Sequence, residues 1–90
     1  MPDDIREILC RKWALEILRF LNEQGIQNYS KIEAEYDTSS DVISERLQEL
    51  VNAGLLTRDE RTPKDVRYAI TANGEELLEL LGDVHRLLEE

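Results

Sequence analysis

The sequence contains few of the residues on which disulfide-bonded proteins, metalloproteins and most enzymes depend. Among its 90 residues there is one cysteine, Cys10, and one histidine, His85. A lone cysteine cannot form an internal disulfide, which fits a reducing compartment. The four glycines are dispersed and form no phosphate-binding loop, and a single histidine offers no cluster for a metal or for catalysis. We therefore predict no enzyme activity, no catalytic residue, no metal and no cofactor.

Basic charge and long apolar runs are also missing. The net charge is −9, whereas DNA-binding proteins normally carry a basic surface that displaces counterions from phosphates. Such acidity is typical of proteins from a high-salt cytoplasm, such as that of a halophilic archaeon, and equally of an acidic domain that binds protein. No apolar run approaches the roughly 18 residues of a membrane span, and the first residues do not resemble a signal peptide. We therefore predict a cytoplasmic protein without membrane contact.

The apolar residues that are present recur at helical spacing near the start of the chain. Residues 2–4, Pro-Asp-Asp, are typical of a helix start, and Gly25 is typical of a helix end. A first helix is predicted over about residues 4–23, either continuous or in two pieces with a bend near Cys10 and Arg11. Trp13 is predicted to anchor the core. The apolar stripe comprises Ile5, Ile8, Leu9, Trp13, Ile17, Leu18 and Leu21.

Residues 30–54 have the pattern of a helix-turn-helix. Ser30 and Glu33 form an S-x-x-E capping box for a first short helix, and Tyr29 lies where a hydrophobic staple would pack. Turn-forming residues follow at 36–40. The second helix has one apolar face, and Gly54 supplies the left-handed position after its end. That face comprises Ile43, Leu47, Leu50 and Val51.

The pattern of residues 55–90 predicts a hairpin and a terminal helix. Apolar and polar residues alternate in part, as in β-strands, over residues 55–58 and 66–70. Between them lies a polar, loose tip at residues 59–65, in which Pro63 marks a turn. Residues 25–29 could add one or two strand residues. Thr71 is the predicted cap of a last helix over residues 72–89. This helix is too apolar for a small monomer to bury, so we predict homodimerisation through Leu77, Leu80, Leu81, Val84, Leu87 and Leu88.

The predicted fold is mainly α with a small β-hairpin, an α+β winged helix-turn-helix in the order α-α-α-β-β-α, with residues 1–90 forming one domain. Four segments also resemble HxlR-type regulators, which lie within the MarR-like winged-helix group. They are KWALEILRFL at residues 12–21, YSKIE at 29–33, SSDVISERLQELVNAGLLTR at 39–58 and VRYAITANGEELL at 66–78. The resemblance implies a homodimeric transcription regulator that binds double-stranded DNA and has no enzymatic activity.

The resemblance also implies which residues contact DNA. The recognition helix would be residues 40–53, entering the major groove, and the hairpin of residues 55–70 would be the wing, which lies on the backbone. Hydroxyls and an amide suit base edges or phosphates, and the wing bases suit phosphates or the minor groove. Residues 56–71 have a net charge of +1, against −4 for residues 30–55 and −5 for residues 72–90. The predicted DNA-binding residues are Ser39, Ser40, Ser44, Gln48, Arg58, Arg61, Lys64 and Arg67.

Two features depart from the family pattern. Family members often carry Lys, Gln or Arg where this chain has Asp41 and Glu45. This favours, as an alternative function, a protein-interaction module that has lost DNA binding and presents an acidic face to a protein partner.

The family commonly has a cysteine upstream of the first helix, used in some members as a redox sensor. Here Cys10 lies within the first helical stretch beside two bases, and we expect it to be a partly buried, small apolar residue, with a reactive thiol as the alternative.

Overall fold

A computed structural model describes residues 5–89 of the chain and the side chains of residues 7–88. The helix start predicted at residues 2–4 lies outside the described residues. Within residues 5–89, five helices and three strands follow the predicted order α-α-α-β-β-α, except that the first helix is in two pieces and a short strand precedes the helix-turn-helix. They are α1 (Ile5–Cys10), α2 (Ala14–Gln24), β1 (Gln27–Asn28), α3 (Tyr29–Glu35), α4 (Ser40–Asn52), β2 (Leu56–Thr62), β3 (Asp65–Ile70) and α5 (Ala72–Glu89).

The first helical stretch is broken after Cys10. Of the two predicted alternatives, the one with two pieces and a bend near Cys10 and Arg11 is confirmed, and the single long helix is wrong. The break is a short turn in which Trp13 has a left-handed backbone, with φ of 79°. Bulky residues seldom adopt this conformation. Trp13 is the N-cap residue of α2, so α2 begins in a new direction after the end of α1. The indole is partly buried against the core, and its ring centroid lies 5.2 Å from that of Tyr36. Packing thus holds the turn in place.

The core lies where α2 and α4 meet beneath the sheet. Buried residues of α2 recur at the spacing predicted for one helix face, and the predicted face of α4 is confirmed, except that Val51 is only partly buried. Burial of one fully enclosed Leu or Ile stabilises the fold by roughly 1.5–3 kcal/mol. The largest fully buried side chains are Ile17, Leu18, Leu21, Ile32, Ile43, Leu47 and Leu50.

Helix α3 starts two residues earlier than the predicted cap at Ser30 implies, and it has a different cap. The side chain of Asn28, not Ser30, accepts the capping hydrogen bond, from the backbone N–H of Lys31 at 2.9 Å. The predicted S-x-x-E capping box is therefore wrong. Asn28 can do this because β1 leaves it in an extended conformation, which a cap residue needs. Tyr29 consequently becomes the first helical residue instead of a staple outside the helix.

The three strands form one antiparallel sheet in the order β1-β3-β2. The short strand predicted before Tyr29 is confirmed as β1, which pairs with β3. The hairpin is longer than predicted, because Thr62 pairs with Asp65 across a two-residue tip, Pro63 and Lys64. The loose loop over residues 59–65 is thus wrong: strand pairing continues through most of these polar residues, with a register shift between Glu60 and Thr62.

The terminal helix begins as predicted, since the backbone N–H of Gly74 donates to Thr71 Oγ1 at 3.0 Å. Its first half packs on the domain, with Leu77 and Leu78 partly buried against the core. Its second half leaves Leu80, Val84, Leu87 and Leu88 exposed. No helix within residues 5–89 combines the length and apolar character needed to cross a membrane.

Cys10 is exposed at the end of α1. The expectation that it is a partly buried, small apolar residue is therefore wrong. The reason is its position on α1: Ile8 is buried, and a residue two positions further along lies about 200° around the helix axis, so the thiol faces away from the core.

Candidate nucleic-acid interface

Helix α4 presents a polar face to solvent because its apolar face is anchored in the core. The Ser39 hydroxyl caps the helix by accepting from the backbone N–H of Val42 at 3.4 Å, which fixes where the helix begins. Burial of Ile43, Leu47 and Leu50 then sets the rotation of the helix about its axis. The exposed face that results comprises Ser40, Asp41, Ser44, Glu45 and Gln48.

The hydroxyl of Tyr29 joins α3 to the start of α4. It lies 3.0 Å from the carbonyl oxygen of Ser40 and 3.0 Å from Ser44 Oγ. A longer contact of 3.4 Å reaches Glu33 Oε2. The two helices of the motif are therefore linked by a polar contact at their outer surface, in addition to the apolar contacts beneath.

An open groove of about 560 Å³ separates α4 from the wing. Four of the eight predicted DNA-binding residues line it: Ser44 and Gln48 from α4, and Arg58 and Lys64 from the wing. The other lining residues are Tyr29, Ser30, Pro63, Val66 and Tyr68. The structure thus brings polar side chains of the helix and bases of the wing to one concave surface.

The other four predicted residues lie outside this groove. Ser39 is occupied at the cap of α4, and Ser40 lies at its first turn. On the wing, Arg58 is directly opposite Tyr68, whereas Arg67 is opposite Asp59. Side chains of directly opposed residues share one face of a sheet, whereas side chains of successive residues in a strand point to opposite faces. Arg67 is thus on the sheet face away from the groove.

Each wing arginine is paired with a nearby acid. Arg61 lies 3.1 Å from Asp59 and Arg67 lies 3.1 Å from Asp65, and hydrogen bonding to Asp65 raises the pKa of Arg67. In the groove, hydrogen bonds to the side chains of Tyr68 and Glu60 raise the pKa of Arg58. The pairs of Arg58 and Arg61 are exposed and that of Arg67 is partly exposed, so water screens these attractions and they contribute little to stability. A phosphate could therefore replace the carboxylate as the partner of an arginine.

The two acids on the outer face of α4 are both compensated within the domain. Asp41 lies in the first turn, where the helix dipole favours a carboxylate. Glu45 Oε1 accepts from Arg46 Nη1 at 2.8 Å. The negative charge that α4 presents outward is thus smaller than the sequence suggests.

Three residues of this region carry no functional prediction from the sequence. Tyr29 and Tyr68 line the groove, and Arg46 holds Glu45. Tyr29 contacts residues 11 and 15 positions away, so no local spacing could indicate its role. Among residues 5–89, no group of three or more His, Cys, Asp or Glu side chains could hold a metal ion.

Comparisons with known proteins agree with this architecture. The profile of the HxlR-like helix-turn-helix family matches residues 8–90. The HTH-type transcriptional regulator YvaP of Bacillus subtilis, itself described as uncharacterized, is 38% identical over 88 aligned residues, covering 93% of this chain and 80% of YvaP. The reduced form of the B. subtilis transcriptional regulator YodB has a TM-score of 0.77 at 25% identity, over 91% of this chain and 82% of YodB. A possible HxlR family transcriptional factor from Thermoplasma volcanium has a TM-score of 0.70 at 27% identity, over 100% of this chain and 87% of that one.

Proposed function

The chain belongs to the HxlR-like helix-turn-helix family and is a DNA-binding transcriptional regulator, and from this we propose how it binds. Helix α4 enters the major groove with Ser44 and Gln48 facing base edges, and the wing lies along the phosphate backbone. The observation that supports this arrangement is the single concave surface shared by these two residues with Arg58 and Lys64. The proposal gives the chain no catalytic step.

The wing supplies the main electrostatic contact with DNA in this proposal. It is the only segment of the second half of the chain with a net positive charge, and it carries Lys64 at its tip, beside the groove. Arg61 and Arg67 belong to the same hairpin but lie outside the groove, and the proposal assigns them to phosphates that flank it. Helix α4 contributes shape and polar contacts, because Asp41 and Glu45 are compensated within the domain.

We further propose that the regulator acts as a homodimer through α5. Four large apolar side chains are exposed in its second half: Leu80 by 55%, Val84 by 51%, Leu87 by 75% and Leu88 by 78%. Scattered exposed apolar residues are ordinary, but four within nine residues of one helix form a patch that a partner helix could cover. Two copies would place two recognition helices on one DNA duplex, which suits a two-fold symmetric operator.

DNA binding in this manner is tested by titrating the protein with mixed genomic fragments at low and at multimolar KCl. We expect sequence-selective binding that weakens with salt. The double variant Arg61→Ala, Lys64→Ala should bind more weakly and should lower the slope of log affinity against log salt by about 0.9 for each phosphate that is no longer neutralised. The matched control is Arg86→Ala, which removes an exposed base from α5 and should leave affinity and slope unchanged.

The same experiment separates this mechanism from its alternatives. An unchanged slope in the wing double variant, with selective binding retained, would show that the backbone contacts lie elsewhere. Absence of binding at every salt concentration, together with recovery of a specific protein from a pull-down, would instead support a protein-interaction module with an acidic face.

A further inference from the structure

The contact between Tyr29 and Ser44 determines which hydrogen-bonding role Ser44 can play. Tyr29 Oη lies 3.0 Å from Ser44 Oγ and 3.0 Å from the carbonyl oxygen of Ser40, with Glu33 Oε2 at 3.4 Å. A phenol has one proton to donate and can also accept. The carbonyl oxygen and the carboxylate can only accept.

The single phenolic proton therefore goes to the Ser40 carbonyl or to the Glu33 carboxylate. In either case it is not available to Ser44. The contact between Tyr29 and Ser44 is then a hydrogen bond only if the serine hydroxyl donates to the phenolic oxygen. Its proton is directed toward α3, and its lone pairs remain directed toward the groove, where the side chain is exposed.

We propose that Ser44 is a specificity-determining residue that acts only as a hydrogen-bond acceptor, and that Tyr29 is the positioning residue that imposes this role. An acceptor in the major groove pairs with an exocyclic amino group, which is N6 of adenine or N4 of cytosine. It cannot bond to guanine O6 or N7, to thymine O4 or to a phosphate oxygen, since these are acceptors themselves. Ser44 thus selects an amino-bearing base, a conclusion that rests on the proposed placement of α4 in the major groove.

Gln48 provides an internal contrast on the same helix face. Its Nε2 donates to Asn52 Oδ1 at 2.9 Å. A primary amide has a second N–H and a carbonyl oxygen, so Gln48 retains both a donor and an acceptor toward the groove. The restriction to one hydrogen-bonding role therefore applies to Ser44 and not to its neighbour one turn along, and the two residues should show different base preferences.

Selection of binding sites from a randomised duplex library tests this inference. Comparison of the wild type with Ser44→Ala identifies the base position that Ser44 reads, because only there should the preference disappear. At that position we expect the wild type to favour adenine or cytosine over guanine or thymine by about 3- to 10-fold, the range of one hydrogen bond. Tyr29→Phe keeps the ring and frees the serine proton, so guanine and thymine should become acceptable there. Gln48→Ala is the matched control and should alter a different position.

A base analogue supplies a second, independent measurement. Where adenine is selected, its replacement by purine, which lacks the amino group, should weaken wild-type binding about 3- to 10-fold and leave Ser44→Ala unaffected. Thermal melting of each variant confirms that the domain is folded. Selective binding by the wild type with the same base profile in Tyr29→Phe would overturn the inference and leave the proposed function intact. A wild-type preference for guanine or thymine at this position would also overturn it, whereas a library without any enrichment would contradict the proposed function itself.

Discussion

Arg46 Nε donates to the backbone carbonyl oxygen of Lys12 over 3.0 Å, which ties α4 to the turn between α1 and α2. The same guanidinium contacts Glu49 Oε1 at 3.1 Å, and the other oxygen of Glu49 pairs with Arg11. Two residues of α4, one turn apart, thus hold two residues of a turn more than 30 positions earlier. The orientation of α4 is therefore set by this polar link as well as by its buried leucines.

Removal of the Arg46 side chain should destabilise the domain measurably. Its side chain is only 15% exposed, and Arg46→Ala leaves the Lys12 carbonyl without this donor and Glu49 with one cation fewer. We expect the free energy of unfolding to fall by about 2 kcal/mol in urea titrations. Arg46→Lys should restore only part of this lost free energy of unfolding, because an ammonium group lacks the planar guanidinium that donates to several acceptors. The control Arg61→Ala breaks an exposed pair and should cost less than about 0.5 kcal/mol; equal losses in the two alanine variants would contradict the link.

Leu47→Asp should prevent folding. Leu47 is fully buried, and an unpaired carboxylate there costs more than about 4 kcal/mol, a large part of the stability of a small domain. Circular dichroism should show loss of helix and of a cooperative melt. The adjacent Gln48→Asp places the same group on the exposed face and should melt like the parent. A cooperative melt of Leu47→Asp at the parent temperature would mean that the wrong face of α4 has been assigned to the core.

The parts of the fold that could be predicted are those governed by short-range patterns. The buried face of α4 follows from residues three, four and seven apart, and its end follows from Gly54, which has φ of 80°. Thr71 could be recognised as a cap because its hydroxyl bonds to a backbone N–H three residues later. In each case the interacting residues lie within about two helical turns of each other, so their spacing in the sequence is enough to predict the interaction.

The parts that could not be predicted depend on distant partners. The turn at residues 11–13 contains neither glycine nor proline, yet Trp13 adopts a left-handed backbone there beside Tyr36. The wing tip is rich in turn formers, but pairing of Thr62 with Asp65 shortens it to two residues. At the candidate site, the residue types of α4 and the wing could be predicted, whereas the contact of Tyr29 with Ser44 spans 15 positions and follows no periodicity.

The two glycines of α5 should respond oppositely to alanine. A Cβ on Gly74 would lie 2.5 Å from the carbonyl oxygen of Leu55 and 2.6 Å from Ile70 Cγ1, so both contacts require a shift of the surrounding atoms. Gly74→Ala should therefore destabilise the domain by about 1–3 kcal/mol. A Cβ on Gly82 meets nothing within 4 Å, and Gly82→Ala should stabilise it by about 0.5–1 kcal/mol because alanine favours helix. Denaturant titrations measure both, and a destabilised Gly82→Ala would place that residue in a close contact between protomers.

Charges introduced into the exposed patch of α5 should separate the proposed homodimer. Val84 and Leu87 are exposed by 51% and 75% and lie three residues apart on the helix. In Val84→Glu, Leu87→Glu, two carboxylates per protomer would meet across the interface without partners, so the double variant should sediment as a monomer with its helix content intact. Glu79→Gln alters an exposed polar residue of the same helix and should remain dimeric. A wild type that sediments as a monomer at micromolar concentration would contradict dimerisation through α5.

The environment of Tyr36 should make stability depend on pH in the alkaline range. Its hydroxyl donates to the Glu16 carbonyl at 2.9 Å, and its ring packs against Trp13 and Phe20. Burial, and after it the carboxylates of Glu35, Glu16 and Glu23, raise the pKa of Tyr36 from 10.0 to about 12. The folded state therefore favours the neutral phenol. This contribution to stability is complete below pH 10, where the unfolded chain also keeps its proton, and is lost as the pH rises toward 12.

Two pKa units correspond to about 2.7 kcal/mol, which solvent screening of a half-buried ring reduces to about 1 kcal/mol. Urea titrations below pH 10 and near pH 12 should show this loss in the wild type and in Tyr29→Phe, which removes a different tyrosine. Tyr36→Phe should be less stable at neutral pH, because the Glu16 carbonyl loses its donor, yet it should have a flatter alkaline profile. An absorbance titration should show the highest tyrosinate step missing only in Tyr36→Phe. Identical alkaline profiles in the wild type and Tyr36→Phe would assign the pH dependence to another group.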